Sequence, residues 1–152
     1  MKRMAEFQKV SENISGVRHE DVILPTRATS GSAGYDFRAP FEFTLSPGDS
    51  ITIPTGIRAK TEEGWVLMLF PRSGLGFKYR LTLDNTVGVI DSDYYNSENE
   101  GHIMVKLTNL GGRILSVAKG GAFCQGVFLP YGITYDDVSE ERRDGGFGST
   151  DV

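Results

Sequence analysis

The segment 83–94, LDNTVGVIDSDY, holds the densest set of chemically useful side chains in the sequence. Asp91 and Asp93 follow two apolar arms that predict a β-hairpin. In an extended segment, carboxylates two residues apart point to opposite faces, so these two are not expected to act as an acid/base pair on one bond. One of them is suited to be a general base for water. Hydrolysis of a phosphoric anhydride needs little more than an oriented water, a base and cations that neutralise oxygen charge.

Groups that bind phosphate stand in other segments. In 71–78, PRSGLGFK, Arg72 precedes a hydroxyl and flexible backbone at the start of a predicted short helical turn, an arrangement that receives phosphate. Asp36 begins a predicted strand between aromatic residues, where a turn-capping role is equally typical. The C-terminal stretch 142–150, RRDGGFGST, is either a solvated end or a segment that orders over an anionic ligand through its backbone N–H groups.

Composition excludes several classes of function. The formal charge is 16 minus 20, or −4, without a basic block, which argues against nucleic acid as a partner. The longest apolar run, 65–70, is far too short to cross a bilayer, so we expect no membrane association. Residues 1–10 lack the uninterrupted apolar stretch of a signal peptide, and we therefore expect a cytoplasmic protein.

Cysteine and histidine content narrows the chemistry further. The single Cys124 excludes an internal disulfide and a paired-cysteine zinc site, and it is expected to be a buried, inert thiol. His19 and His102 are the only histidines, and neither stands in a recognisable catalytic triad pattern. A covalent mechanism is therefore disfavoured.

Strand signals dominate the elements that must position these groups. Alternation of apolar and polar residues in 41–45, followed by a Pro-Gly turn, predicts one arm of a hairpin. Further short strands are predicted at 50–53, 56–60, 65–70, 102–108, 113–117 and 122–130. Many short strands at even spacing predict an all-β sandwich or jelly roll, and 39% hydrophobic content suffices for one core. We interpret 1–135 as one domain and 136–152 as a tail.

Five segments, taken in order, resemble the motifs of the trimeric deoxyuridine triphosphatase (dUTPase) family. They are 33–39, 71–76, 88–94, 119–125 and 142–150, and together they span about 115 positions. The resemblance implies a jelly-roll-like dUTPase fold (β-clip) with a flexible, glycine-rich C-terminal tail. It also implies a homotrimer whose active sites are each built from more than one chain, with dUTP as substrate and Mg²⁺ as cofactor.

The resemblance assigns catalytic and phosphate-binding roles by position. Asp91 would be the general base that deprotonates water for attack on the α-phosphorus, and Arg72 would hold the phosphates near Asp91. Asp36 would reach Mg²⁺ through water, while triphosphate oxygens supply most direct ligands. Additional phosphate contacts would come from Ser73, Gly74, Gln125, Arg142, Gly148, Ser149 and Thr150.

Recognition of the nucleoside is assigned in the same way. Asn85 and the backbone at Gly88 and Ile90 would pair with the uracil edge, Tyr94 would pack under the deoxyribose, and Phe147 would stack on uracil. An unpaired hydrogen-bonding edge rejects cytosine by about 10⁴-fold or more. The tail would close over the site and exclude water other than the attacking one.

The sequence departs from the family pattern at three places. Ala122 stands where an arginine usually precedes Gln125, which makes Gln125 the least secure assignment. Residues 95–101 lengthen the segment after Tyr94, either as a solvated loop or as a docking surface for a regulatory protein. Arg143 replaces a common glycine of the fifth motif.

Two other functions remain open at this stage. A dCTP deaminase shares the fold, but it uses a glutamate as proton shuttle where this chain has Lys106. A nucleotide-binding regulatory protein that keeps the scaffold is motivated by Ala122 and the 95–101 extension. Turnover of dUTP with Mg²⁺ discriminates these possibilities.

Overall fold

The computed structural model describes residues 2–139. Within this range, twelve short strands make up most of the fold. The strands are β1 Ala5–Lys9, β2 Thr26–Arg27, β3 Tyr35–Arg38, β4 Phe43–Leu45, β5 Ser50–Pro54, β6 Ile57–Thr61, β7 Trp65–Pro71, β8 Leu81–Leu83, β9 Gly88–Ile90, β10 Met104–Asn109, β11 Leu115–Val117 and β12 Ala122–Pro130. The helices are α1 Glu12–Ser15 and α2 Ser73–Tyr79, with 3-10 helices at His19–Asp21 and Ser92–Asn96. Within residues 2–139, no helix has the length and apolarity needed to cross a membrane.

Alternating burial explains why these residues form strands. In β4, Phe43 and Leu45 are buried while Thr44 is exposed, and β11 repeats the pattern opposite. The two strands pair antiparallel, and Thr44 exchanges a 2.9 Å side-chain hydrogen bond with Ser116 on the exposed face. Strand β12 has the predicted bounds, and the predicted all-β class is confirmed.

Two larger sheets enclose the core. The five-stranded sheet has the order β2-β3-β12-β7-β9, and the three-stranded sheet has the order β5-β10-β8. All strand pairings in these two sheets are antiparallel, and side chains alternate between the core and the outside along each strand. The core contains the fully buried side chains of Phe37, Ile53, Leu67, Leu107 and Phe123.

The predicted hairpin over segment 83–94 is wrong. Strand β8 pairs with β10, whereas β9 pairs with β7, so the two arms belong to different sheets. A turn connects them, with Thr86 N donating to Leu83 O at 2.9 Å and Val87 N donating to Asn85 O at 2.7 Å. The chain crosses from one sheet to the other here because each arm has a longer strand to pair with elsewhere.

The extended conformation predicted for Asp91 to Asp93 holds for Asp91 but is wrong beyond it. A 3-10 helix begins at Ser92, and Tyr94 N donates to Asp91 O at 3.2 Å. The two-residue alternation of a strand therefore does not apply to these carboxylates.

An N-terminal arm that the sequence did not predict holds the 95–101 loop. Strand β1 pairs antiparallel with β6, and Ser11 follows it. The Glu100 carboxylate accepts hydrogen bonds from Ser11 N at 2.9 Å and Ser11 Oγ at 2.7 Å, and Tyr95 Oη donates to Gln8 at 2.7 Å. Gly101 has a φ of 71°, and a Cβ there would lie 2.7 Å from Tyr95 Cα, so only glycine fits. The loop is therefore packed against its own chain.

We expect Glu100→Gln to lower the thermal unfolding midpoint by a few degrees at pH 7, because Ser11 then loses a charged acceptor. The backbone N–H of Ser11, followed by its hydroxyl, holds the pKa of Glu100 below its ordinary 4.5. Between that lowered pKa and 4.5, the unfolded chain binds a proton that the folded chain does not. The stabilisation is thus complete above pH 4.5 and is lost as the pH falls through the folded-state pKa.

Circular dichroism melts between pH 7 and pH 3 measure this difference. Glu98→Gln, an exposed change in the same loop, is the matched control. Equal midpoints for the two variants at pH 7 would contradict the assigned role of Glu100.

Candidate active site

A cavity of about 590 Å³ lies where the chain crosses between the two sheets. Strands β5, β8 and β10 contribute one part of its wall, and β7 and β9 contribute another. Its volume lies within the range of ligand pockets, about 300–1,000 Å³. Five residues predicted for the site line it: Asn85, Gly88, Ile90, Asp91 and Tyr94.

Strand β9 presents an open edge to this cavity. Within residues 2–139 it is the last strand of its sheet and pairs only with β7, with Gly88 opposite Leu69 and Ile90 opposite Leu67. A Cβ on Gly88 would lie 3.0 Å from the Leu69 Cβ, so glycine permits this close pairing. The backbone groups on the other edge of β9 are available to pair with a planar polar ligand.

Tyr94 is held rigidly on the far side of the cavity. Its ring is 3% exposed, and its hydroxyl donates to His102 O at 2.7 Å and accepts from Asn99 Nδ2 at 2.8 Å. The His102 ring in turn accepts a 3.0 Å hydrogen bond from Gly56 N. Burial lowers the pKa of His102, which keeps the ring neutral as this acceptor role requires. His102 therefore has a structural role.

Asp91 stands at the start of the 3-10 helix, at the rim of the same cavity. Its backbone is extended, with φ −71° and ψ 156°, and its side chain is partly exposed. A carboxylate in this position is close to any ligand that fills the cavity and is accessible to water. The arrangement suits a general base.

A second cluster joins three of the other predicted residues. Gln125 on β12 lies opposite Asp36 on β3, and its Nε2 donates to Pro71 O at 3.1 Å. Arg72 Nε lies 3.0 Å from Asp36 Oδ1, with the Arg72 side chain 42% exposed and that of Asp36 13% exposed. The two-sided pairing of β12 thus brings segments 33–39, 71–76 and 119–125 together.

Helix α2 begins directly after Arg72. Leu75 N and Gly76 N donate to Arg72 O at 3.1 and 2.9 Å, and Ser73 and Gly74 are exposed in this first turn. The predicted short helix after Ser73 is confirmed. Its start projects a hydroxyl and backbone N–H groups beside the Arg72 guanidinium.

Within one chain, Asp91 and Arg72 lie near opposite ends of β7. Ile90 pairs with Leu67, so Asp91 comes after β9 at the level of the residues before Leu67, whereas Arg72 follows the other end of β7. Six residues of strand separate these levels, about 20 Å. The expected proximity of Arg72 to Asp91 is therefore not met inside one chain, where Arg72 pairs with Asp36 instead.

Other predicted and unpredicted residues complete the description. Arg142, Phe147, Gly148, Ser149 and Thr150 lie outside the described residues. The predicted burial of Cys124 is confirmed, and burial raises the pKa of its thiol far above the usual range.

Four residues that were not predicted as binding residues also line the cavity: Thr52, Asp84, Met104 and Lys106. They come together at the cavity only because β10 pairs with β5 on one edge and with β8 on the other.

The fold and the site define an all-β protein with a cavity of ligand size. The cavity lies where the chain crosses from one sheet to the other. The dUTPase family model matches residues 20–151, and the chain belongs to the dUTPase family. It is 39% identical over 142 residues to the deoxyuridine 5'-triphosphate nucleotidohydrolase of Lactococcus lactis subsp. lactis (strain IL1403), covering 91% of this chain and 95% of that protein.

Solved structures agree with this assignment. The crystal structure of dUTPase from Streptococcus mutans superimposes with a TM-score of 0.71 at 37% identity, covering 84% of this chain and 97% of that one. A mutant dUTPase from phage phi11 of S. aureus, which coordinates a structural Mg(II) ion, shares the fold with a TM-score of 0.70 at 21% identity, covering 91% and 98%.

We expect Gly34→Ala to lower dUTPase kcat/KM by about 2- to 10-fold, the usual worth of one hydrogen bond. The added Cβ would lie 2.4 Å from Gln125 Oε1 and would push the Gln125 side chain away from Pro71 O. Gly31→Ala is the matched control, because a Cβ there meets nothing within 4 Å. Steady-state kinetics compare the two variants, and an equal effect of both would contradict the assignment of Gln125.

Proposed function

We propose that this protein hydrolyses dUTP to dUMP and pyrophosphate by attack of an Asp91-activated water on the α-phosphorus. Membership of the dUTPase family makes the chain a dUTP diphosphatase. The observation that carries the mechanistic proposal is the convergence of Asn85, Asp91 and Tyr94 on one cavity of about 590 Å³. These residues come from a turn, a strand end and a 3-10 helix, and all three line the cavity although β9 separates Asn85 from the other two.

Base recognition is supported by the open edge of β9. Uracil presents a planar row of acceptor, donor and acceptor, which pairs well with an exposed strand edge. The backbone at Gly88 and Ile90 would supply part of this pairing, and the Asn85 amide the rest. Cytosine reverses part of the pattern, and a site left with unpaired polar groups rejects the wrong base strongly.

Sugar recognition is supported by the fixed ring of Tyr94. The two hydrogen bonds on its hydroxyl hold the ring in its position. Packed under the deoxyribose, the ring would crowd a 2′-hydroxyl. A rigid wall against the base would likewise refuse the extra methyl of thymine.

Phosphate binding is assigned to the second cluster. Arg72 supplies a guanidinium that is 42% exposed, and Ser73, Gly74 and Gln125 lie around it. In the tail, Arg142, Gly148, Ser149 and Thr150 would cover the phosphates, and Phe147 would stack on uracil. Guanidinium and hydroxyl donors are the usual partners of phosphate oxygens.

The residues of this cluster fit Mg²⁺ as cofactor. This ion is usually bound by one or two carboxylates together with substrate phosphates and water. Asp36 supplies one carboxylate, and residues 2–139 contain no group of three His, Cys, Asp or Glu side chains that would cage an ion alone. Asp36 would therefore hold the ion through water. When bound, the ion would neutralise charge on the triphosphate.

The chemical step assigned to Asp91 is simple. Its carboxylate takes a proton from water as the water oxygen bonds to the α-phosphorus. The bond from that phosphorus to the bridging oxygen breaks, and pyrophosphate leaves with the electron pair. Positioned general bases contribute about 10²- to 10⁴-fold to such reactions.

A homotrimer with shared sites reconciles this step with the separation inside one chain. Asp91 and Arg72 lie about 20 Å apart along the strands, too far to act on one α-phosphate and its neighbours. In the proposed cyclic oligomer, the cavity of one subunit would face the Asp36, Arg72 and Gln125 cluster of the next. Each site would then combine residues from more than one chain, with the C-terminal tail closing over it.

Neither competing function is favoured by a described contact. Lys106 Nζ lies 3.1 Å from Asp84 Oδ2, and an ammonium paired in this way is a poor substitute for the glutamate of a deaminase. The 95–101 loop directs Tyr95 and Glu100 toward the N-terminal arm. These contacts account for the extension without a regulatory partner.

We expect Asp91→Asn to lower kcat by about 10²- to 10⁴-fold while nucleotide binding survives, since the amide keeps the shape but loses the base. Pyrophosphate release from dUTP with Mg²⁺ measures turnover, and calorimetry with a non-hydrolysable dUTP analogue measures binding. Near-normal turnover by this variant would refute the role of Asp91.

Mixing two inactive variants tests the shared site. Subunits carrying Asp91→Asn and Arg72→Gln, reassorted at equal amounts by co-refolding, should regain about one quarter of wild-type activity, because a site then draws one intact residue from each kind of subunit. Each variant refolded alone is the control. No recovery, with mixed oligomers verified by native mass spectrometry, would show that the site lies within one chain.

A further inference from the structure

Asp84 is fastened to β10 by three separate hydrogen bonds. Its backbone N–H donates to Lys106 O at 3.0 Å. Its carboxylate receives Lys106 Nζ on Oδ2 at 3.1 Å and the Thr108 hydroxyl on Oδ1. The Thr108 hydroxyl, followed by Lys106, holds the pKa of Asp84 below its usual value, so the carboxylate is charged at neutral pH. None of these three residues belongs to the sequence motifs that identify the family.

The turn that follows Asp84 is under backbone strain. Thr86 has a φ of 64°, a conformation that β-branched residues rarely adopt. The strained residue is held by its N–H on Leu83 O at 2.9 Å and by its hydroxyl, which donates to Asn85 O at 2.6 Å. Strain of this kind persists only where surrounding contacts over-determine the backbone. The fastening of Asp84 supplies such contacts on the N-terminal side of the turn.

Asn85 lies between the fastened residue and the strained one. It is exposed toward the cavity, and the amide has a donor and an acceptor that exchange places when the group rotates by 180°. Uracil and cytosine differ by a comparable exchange of donor and acceptor on their pairing edges. A mobile turn would let the amide move to meet either base, whereas a fixed turn holds the Asn85 backbone and Cβ, and thus the reach of the amide, in one position.

We propose that Asp84, Lys106 and Thr108 form a clamp that fixes the Asn85 turn and thereby sets the preference of the enzyme for uracil over cytosine. This inference rests on the proposed function and deepens it. The three members of the clamp are positioning residues, because they act through Asn85 and the backbone around it. Lys106 thus has a role in base selection although it occupies the place of a deaminase's glutamate.

The clamp predicts a specific kinetic signature. Loosening the turn weakens uracil binding and relieves the penalty against cytosine, whereas the groups at the α-phosphate stay in place. We therefore expect Asp84→Asn to raise KM for dUTP by about 5- to 10-fold with kcat within about 2-fold of wild type. We expect the ratio of kcat/KM for dUTP to that for dCTP to fall by about 10-fold or more.

Asp21→Asn is the matched control. Asp21 pairs with Lys119 and also with Arg18 at the surface. The exposed fractions of the Asp21 and Lys119 side chains, 15% and 54%, resemble the 27% and 59% of Asp84 and Lys106. The control removes the charge of an ion-paired aspartate that does not line the cavity. Both variants would be compared in unfolding midpoint, in KM and kcat for dUTP, and in turnover of dCTP.

Two further variants separate positioning from folding. Lys106→Met and Thr108→Val each remove one arm of the clamp, and each should shift the dUTP to dCTP ratio in the same direction as Asp84→Asn but by less. Combining either with Asp84→Asn should add little, since the partners act as one unit.

Several outcomes would overturn the clamp. It fails if Asp84→Asn matches Asp21→Asn in KM and selectivity, or if it lowers the unfolding midpoint while the selectivity ratio stays at the wild-type value. It also fails if Lys106→Met and Thr108→Val leave the ratio unchanged. Inability of the wild-type protein to hydrolyse dUTP is a different result, which would remove the proposed function and the clamp with it.

Discussion

The two-sided pairing of β12 is the constraint on which the rest of the structure depends. This nine-residue strand pairs with β3 along one edge and with β7 along the other. Its inward side chains, including Cys124, enter the core, while the next residue, Gln125, meets Asp36 and Pro71 on the other face. A slip of one residue in either register would turn Gln125 into the core and Cys124 outward. The pairing that packs the core thus also brings Gln125, Asp36 and Arg72 together.

The cavity arises from a second constraint, the crossing of the chain between sheets after β8. Because β8 pairs with β10 and β9 pairs with β7, the turn at 84–87 must bridge two layers. Within residues 2–139, this crossing leaves β9 as an edge strand whose outer edge faces the cavity. A protein that needed only stability would cover such an edge, since open edges promote aggregation. Here the exposed edge would serve the proposed pairing with a planar polar ligand.

Local sequence patterns predicted the strands well where apolar and polar residues alternate or where the run is long. Strand β12 matched its predicted bounds because its apolar run is closed by Gly121 and by the residues after Pro130. The N-terminal strand β1 escaped prediction, since its mixed residues acquire strand character only by pairing with β6, about fifty residues away in the chain. The hairpin over 83–94 was predicted wrongly for a related reason. Turn chemistry indicates where a chain reverses but not which strand it then joins.

The sequence by itself determined the all-β class through local alternation, and the order of its five motifs carried the resemblance to the dUTPase family. That resemblance implied a shared site for Asn85, Asp91 and Tyr94. Alternation and motif order are properties of short segments, which is why they can be read without the structure. The tertiary structure alone decided that Arg72 pairs with Asp36, that the Arg72 cluster lies far from Asp91 within one chain, and that Asp84 is fastened to β10. The physical reason is that strand partners are chosen by long-range burial and backbone pairing, which no short segment encodes.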